Sequence, residues 1–98
     1  MALNNNQRRY LRGLCHDLHP LVTVAERGLA PSVLKEIEVA LKHHELIKIR
    51  ISAADRDAKV GLIDSLIGET GAELVQKIGH VVSLYRSNPE APKVELPK

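Results

Sequence analysis

Few groups in this sequence have the capacity for chemistry. Cys15, His16 and His19 lie close together, His43, His44 and His80 follow, and one glycine-bearing stretch runs Leu21-Val-Thr-Val-Ala-Glu-Arg-Gly-Leu-Ala-Pro31. Cys15, His16 and His19 suggest metal ligands, but a tetrahedral site needs a fourth donor from a distant segment. The chain has no second cysteine and no CxxC or HExxH spacing. No phosphate loop of the P-loop or dinucleotide-binding kind occurs, and no serine elbow. No nucleophile stands beside a base. The sequence reads as a binding protein and not an enzyme, with no metal, no cofactor and no small-molecule substrate. A small metal-dependent enzyme using His16 and His19 is the reading that metal in the purified protein would favour.

Phosphate is the ligand that the 21–31 stretch suits. A short loop between a strand and a helix brings backbone N–H groups and a helix N-terminus to one point. Arg27 adds a cation and Gly28 permits close backbone approach. An ordinary turn in an α/β fold has the same outline, and the stretch by itself does not separate the two.

The elements around that loop are legible from local signals. Asn4 to Asn6 can cap a helix in which Leu11, Leu14, Cys15 and Leu18 recur at helical spacing. Arg8 and Arg12 fall on one face of it. Gly13, costing about 1 kcal/mol against Ala, suggests close packing there. Pro20 ends that stretch and Leu21 to Ala25 is a short apolar strand. Pro31 then opens a helix with a stripe of Leu34, Ile37, Leu41 and His44, joined by Val33 and Ala40. In Leu46 to Ser52, Ile47, Ile49 and Ile51 alternate with Lys48, Arg50 and Ser52, the pattern of a strand covered on one side. Asp55 can cap a third helix with a core stripe of Val60, Ile63 and Ile67, Leu62 and Leu66 beside it, and Gly71 as its stop. Glu73 to Ile78 and Val81 to Arg86 form a hairpin around Gly79-His80. The sum is an α/β fold of order α-β-α-β-α-β-β. It has a mixed four-stranded sheet, helices packed mainly on one face, and the other face open with Lys48 and Arg50 pointing out. Residues 1–86 make the single domain, and 87–98, with three prolines, make an extended or mobile tail.

Composition narrows the partner. The 98 residues include no Trp, no Phe and two Tyr, too few rings for a module that stacks single-stranded bases on aromatic platforms. The net charge of +2 is unevenly spread. Arg8, Arg9 and Arg12 have no acid near them in the first 16 residues, and Lys48 and Arg50 follow in the second strand, whereas 53–73 is acid-rich. That segregation fits one basic face for an anionic partner and one acidic face in solvent. With a single cysteine, no signal-like apolar segment and no membrane-length apolar run, the expectation is a soluble, monomeric, cytoplasmic protein with no membrane partner.

The segments Gln7-Arg-Arg-Tyr-Leu-Arg-Gly-Leu14, Val33 to Lys48, Glu69-Thr-Gly-Ala72 and Ile78-Gly-His-Val-Val-Ser-Leu-Tyr-Arg86, with the loop at 25–29, resemble the YhbY-type CRM domain. The resemblance covers residues 3 to about 86. The block His43-His44-Glu45-Leu46-Ile47-Lys48 and the ending Leu84-Tyr85-Arg86 carry most of it. It implies a fold similar to the C-terminal domain of a bacterial translation initiation factor. It also implies an RNA-binding role without catalysis, associated with precursors of the large ribosomal subunit. Family members use a GxxG loop and neighbouring basic residues. Here that loop is Ala25-Glu26-Arg27-Gly28, with alanine in place of the first glycine. If position 25 needs φ > 0, the alanine costs about 1–2 kcal/mol. If it has ordinary strand-end angles, the methyl only holds RNA slightly farther off. His80 stands where the family often has lysine, and a histidine is charged only at lower pH. Gly68-Glu-Thr-Gly71 also matches GxxG, but at a helix C-terminus, which repels phosphate.

The expected RNA contacts are therefore Ala25, Glu26, Arg27 and Gly28 at the phosphate. Arg8 and Arg12 of the first helix and Lys48 and Arg50 of the open face surround them, with Lys77 and Arg86 as further contacts. The rival expectation is a ribosome-associated protein–protein adaptor that docks through the helical face around Lys35, Glu38 and Lys42.

Overall fold

In a computed structural model, which describes residues 3–25 and 28–97, local signals in the sequence set the ends of the elements. The order is α1 (Asn5–Cys15), β1 (Pro20–Val24), α2 (Pro31–His44), β2 (Leu46–Ile51), α3 (Arg56–Thr70), β3 (Glu73–Ile78) and β4 (Val81–Tyr85). A reciprocal capping box opens α1. The Gln7 amide donates to Asn4 Oδ1 at 2.8 Å, and the Asn4 amide donates to Gln7 Oε1 at 3.1 Å. Pro31 fills the first position of α2. Asp55 Oδ1 accepts the Ala58 amide at 2.8 Å to start α3, and left-handed Gly71 stops it. Gly13 does not mark a close approach: it is exposed, and a Cβ there would meet nothing within 4 Å.

The sheet order is β1-β2-β4-β3. β1 and β2 are parallel, joined by the α2 crossover, while β4 lies antiparallel to both β2 and β3. Behind the sheet, Ile47, Ile49, Ile51, Val22, Val24, Val82 and Leu84 meet Ile37 and Leu41 of α2 and Ile63 and Leu66 of α3. Each such buried aliphatic side chain contributes about 1.5–3 kcal/mol relative to exposure. Two residues expected on these stripes lie outside them. His44 is exposed at the last position of α2, and Val60 is 44% exposed, one turn into α3.

The front face is not fully open. α1 crosses it and sets Leu11 and Cys15 against Leu46, Val75 and Tyr85, one from each of the three strands beneath, with Leu3, Val94 and Leu96 alongside. The physical reason lies at the β2–β4 end of the sheet. There the front-facing residues are apolar (Leu46, Tyr85) and need cover, whereas farther along they are Lys48, Arg50 and Ser83. Two helices therefore share the back and the third takes half of the front.

Residues 87–97 form no helix or strand, yet they are docked. Glu45, the C-cap of α2, is 1% exposed with φ 61° and ψ −43°. Its carboxylate accepts the amides of Asn88 (2.6 Å), Lys93 (2.6 Å) and Val94 (2.7 Å). Its own carbonyl accepts the Arg86 amide at 2.9 Å. Such a φ in a non-glycine residue costs of order 1–3 kcal/mol, which the surrounding hydrogen bonds offset. Gln7 Nε2 donates to the Pro97 carbonyl at 3.1 Å, so the tail also touches α1.

Burial pushes the Glu45 carboxyl up, but the three amides and the nearby Lys93 charge outweigh it and leave its pKa below the ordinary value. A depressed folded pKa means that the stabilisation is complete above the unfolded value, about 4.3. It is lost as pH falls through the lower folded value. On acidification below that range, the Lys93 and Val94 amides should lose hydrogen-exchange protection before the sheet does. At neutral pH, Glu45→Ala should lower unfolding free energy by about 1–3 kcal/mol in urea titration, since it leaves three partly buried amides without their acceptor.

Candidate nucleic-acid interface

The strip of the front face that α1 leaves uncovered is concave. Leu18, His19 and Pro20 form one wall, Gln76 and Ile78 the other, and Lys48, Arg50 and Ser83 lie on the floor. Strand pairing sets this arrangement. Lys48 lies opposite Ser83 and Arg50 opposite Val81, so alternation places both cations on the front while their isoleucine neighbours enter the core. Lys48 is half-buried and Arg50 exposed. Among the described residues the ion pairs are Arg8–Glu73 and Arg86–Glu38, so neither Lys48 nor Arg50 has a carboxylate partner there.

The loop after β1 lies at the end of this strip. Thr23 is registered against Arg50, and the Ser52 amide donates to the Val24 carbonyl at 2.8 Å, which holds the ends of β1 and β2 side by side. Gly28 returns the chain: its amide donates to the Ala25 carbonyl at 2.9 Å, and its φ is +78°. Glu45 is the only non-glycine residue with positive φ among the described residues, so Ala25 keeps ordinary backbone angles. Of the two conformations open to Ala25, the unstrained strand end is the one present, and the methyl costs no backbone energy. Glu26 and Arg27 lie outside the described residues.

The remaining expected cations separate into two groups. Arg12 is exposed in the last turn of α1. Arg8, although four residues before it, is engaged within the molecule: Nη1 donates to the Leu74 carbonyl at 2.6 Å and Nη2 lies 3.8 Å from Glu73 Oε2. Arg86 is likewise engaged, with Nη1 2.9 Å from the Thr70 carbonyl and 2.8 Å from Glu38 Oε2. It closes the C-terminal end of α3, where the free carbonyls attract a cation, and joins it to α2. Lys77 is exposed but does not accompany Lys48 and Arg50. It is registered against Val82, on the back of the sheet, at the hairpin end. The structure thus brings together Lys48, Arg50, Ala25 and Gly28, and sets Arg8 and Arg86 into the scaffold.

Cys15, the last residue of α1, is buried between that helix and the sheet, and among the described residues no three His, Cys, Asp or Glu side chains converge to hold a metal ion. No helix of the described residues is long and apolar enough to cross a membrane. Sequence reasoning missed Glu45. The available signal was a single acid at a helix-to-strand junction between basic residues.

A mixed sheet with two helices behind it, one in front, and an uncovered cationic strip leading to a strand–loop–helix turn defines a small α/β domain. The chain belongs to the CRS1/YhbY (CRM) domain family, whose sequence pattern matches residues 3–86. An RNA-binding protein of Haemophilus influenzae is 47% identical over 97 residues, covering 99% of this chain and 97% of that one. A protein of Pseudomonas aeruginosa, named a probable RNA-binding protein, is 42% identical over 93 residues, covering 95% and 89%. The solution structure of a Staphylococcus aureus protein, described as a candidate RNA-binding protein, superposes with a TM-score of 0.82 at 35% identity, covering 98% of this chain and all of that one.

Two substitutions test the loop geometry without altering its charge. Gly28→Ala forces a methyl into positive φ, 3.4 Å from Leu62 Cδ2, and should cost about 1–2 kcal/mol of stability. Ala25→Gly should give no stabilisation in the same denaturant titration. Arg86→Gln should lower stability by about 1–2 kcal/mol, since it removes charge-assisted bonds to Thr70 and Glu38.

Proposed function

We propose that this protein binds RNA without transforming it, and that its RNA lies in the large ribosomal subunit or its precursor, where it acts as an assembly factor. The observation that carries this reading is the strip of Lys48 and Arg50, which have no carboxylate partner among the described residues, aligned by strand register with the loop of Ala25 and Gly28. The names of the relatives agree with the RNA-binding part of it. Arg27 and Gly28 would meet the phosphate, with Arg12, Lys48 and Arg50 flanking it. Recognition would rest on phosphate and shape, because the two tyrosines offer little stacking area: Tyr85 is buried and Tyr10 lies on α1. Arg8 and Arg86 would act indirectly, by holding α1 and α3 in place.

The test is affinity for a large-subunit ribosomal RNA precursor across a salt series. Each phosphate contact neutralised should make the salt slope shallower by about one unit. Arg27→Ala with Arg50→Ala should therefore flatten it by about two units and weaken binding at low salt, with the fold intact by circular dichroism. Undetectable binding of the wild-type protein at low salt would overturn the reading in favour of a protein-docking role for the α2 face around Lys35, Glu38 and Lys42.

A further inference from the structure

The cationic surface does not stop at Arg50. Beyond it the β3–β4 turn projects at the same end of the sheet, held there by the Ile51 amide, which donates to the His80 carbonyl at 2.7 Å. Behind that turn a cleft separates the hairpin from the first turns of α3. Its walls carry Arg56 and Lys59 on one side and Lys77 and His80 on the other. Lys59 is anchored across it: Nζ donates to the Gly79 carbonyl and lies 3.4 Å from His80 Nδ1. One acid, Asp55, lines the cleft, and one of its carboxylate oxygens is engaged by the Ala58 amide at the start of α3. Among the described residues none of Arg56, Lys59 and Lys77 is in an ion pair.

Three features make this more than a scatter of surface lysines. The cations come from segments some twenty residues apart and converge only through the fold. The first turn of α3 opens on the same cleft, and its Arg56 and Asp57 amides remain outside the Asp55 cap on Ala58, although Asp57 adds an acid to that turn. The cleft is also continuous with the strip already described, because His80 stands between Arg50 and Ser52 on one side and Lys77 on the other. Adjacent strands lie about 4.8 Å apart. The run from the β1 loop through the β2 end to the hairpin therefore spans about 10–15 Å, a distance over which one extended polyanion can follow the strand ends.

We propose that this cleft is a second phosphate-binding station, built from Arg56, Lys59, Lys77 and His80, and that it holds the backbone of the same RNA beyond the β1 loop. The proposal rests on the RNA-binding reading above and extends the footprint around the hairpin to the back edge of the sheet. Its backbone contacts carry no base information, so the station adds affinity and direction to the bound strand but no sequence preference.

The test uses the full chain and a short RNA hairpin with a single-stranded loop as probe, titrated at several salt concentrations. Arg56→Gln with Lys77→Gln removes two cleft charges from exposed side chains and leaves the Lys59 tie to the hairpin intact. Lys35→Gln with Lys42→Gln, on the outer side of α2, removes the same net charge elsewhere. The cleft variant should bind about tenfold more weakly, with a salt slope shallower by about two units, while the α2 variant stays near wild type. Equal affinities and slopes for the two variants would overturn the cleft and leave the RNA reading standing. A wild-type protein that binds no RNA at low salt would overturn both. Matching thermal melts for all three proteins exclude a folding defect as the cause.

Discussion

The carboxylate of Glu45 is the junction on which one end of this molecule is organised. A charge taken out of water needs several donors to be tolerated, and here the donors are backbone amides of the C-terminal segment, while the residue's own carbonyl takes the first amide after β4. The end of α2, the start of β2, the exit of β4 and the tail therefore meet at one residue. Tyr85 shares the neighbourhood. Burial pushes its hydroxyl up, a hydrogen bond with Ser87 opposes this, and the Glu45 charge adds to the rise. With that end closed by its own chain, the opposite end of the sheet is left to the loop, the hairpin and the free cations. One end holds the fold together, and the other carries the residues proposed to meet RNA.

Much of the fold was legible because its boundaries are set by short-range chemistry. Asn4, Pro31, Asp55 and Gly71 act within a few residues of themselves, and the alternation in β2 states outright which side chains enter the core. The side of the sheet taken by α1 was not legible. The spacing of Leu11 and Cys15 shows that the helix buries a stripe, but it does not say against which face. Glu45 was opaque for a related reason. Its place as a lone acid at a helix-to-strand junction marks the position, but the donors that satisfy it lie more than forty residues away, and no local pattern identifies them.

The candidate site was legible in part, and the losses are instructive. Sequence supplies cations but not what neutralises them. Arg8 and Arg86 look the same as Arg12 and Arg50 until Leu74, Glu73, Thr70 and Glu38 are seen beside them. Lys77 was unreadable because the ladder between β3 and β4 shifts register between Leu74 and Gln76, which breaks the period of two that assigns a residue to a face. Arg56 and Lys59 lie within an acid-rich segment whose net sign masks them, since a helix can turn its bases and its acids to different neighbours.

The two register shifts in the sheet lie in the β1–β2 and β3–β4 ladders, and β1 and β3 are its outer strands. A free strand edge is a template for another strand, and irregular register, prolines and lysines are among the devices that spoil it. β1 begins at Pro20 and shifts register by Val22; β3 shifts before Gln76 and carries Lys77 near its end. Both rims are thus poor templates for adding a strand from a second copy. A chain that gathered at high local concentration along one long polyanion would be protected by the same irregularities from zipping into fibres.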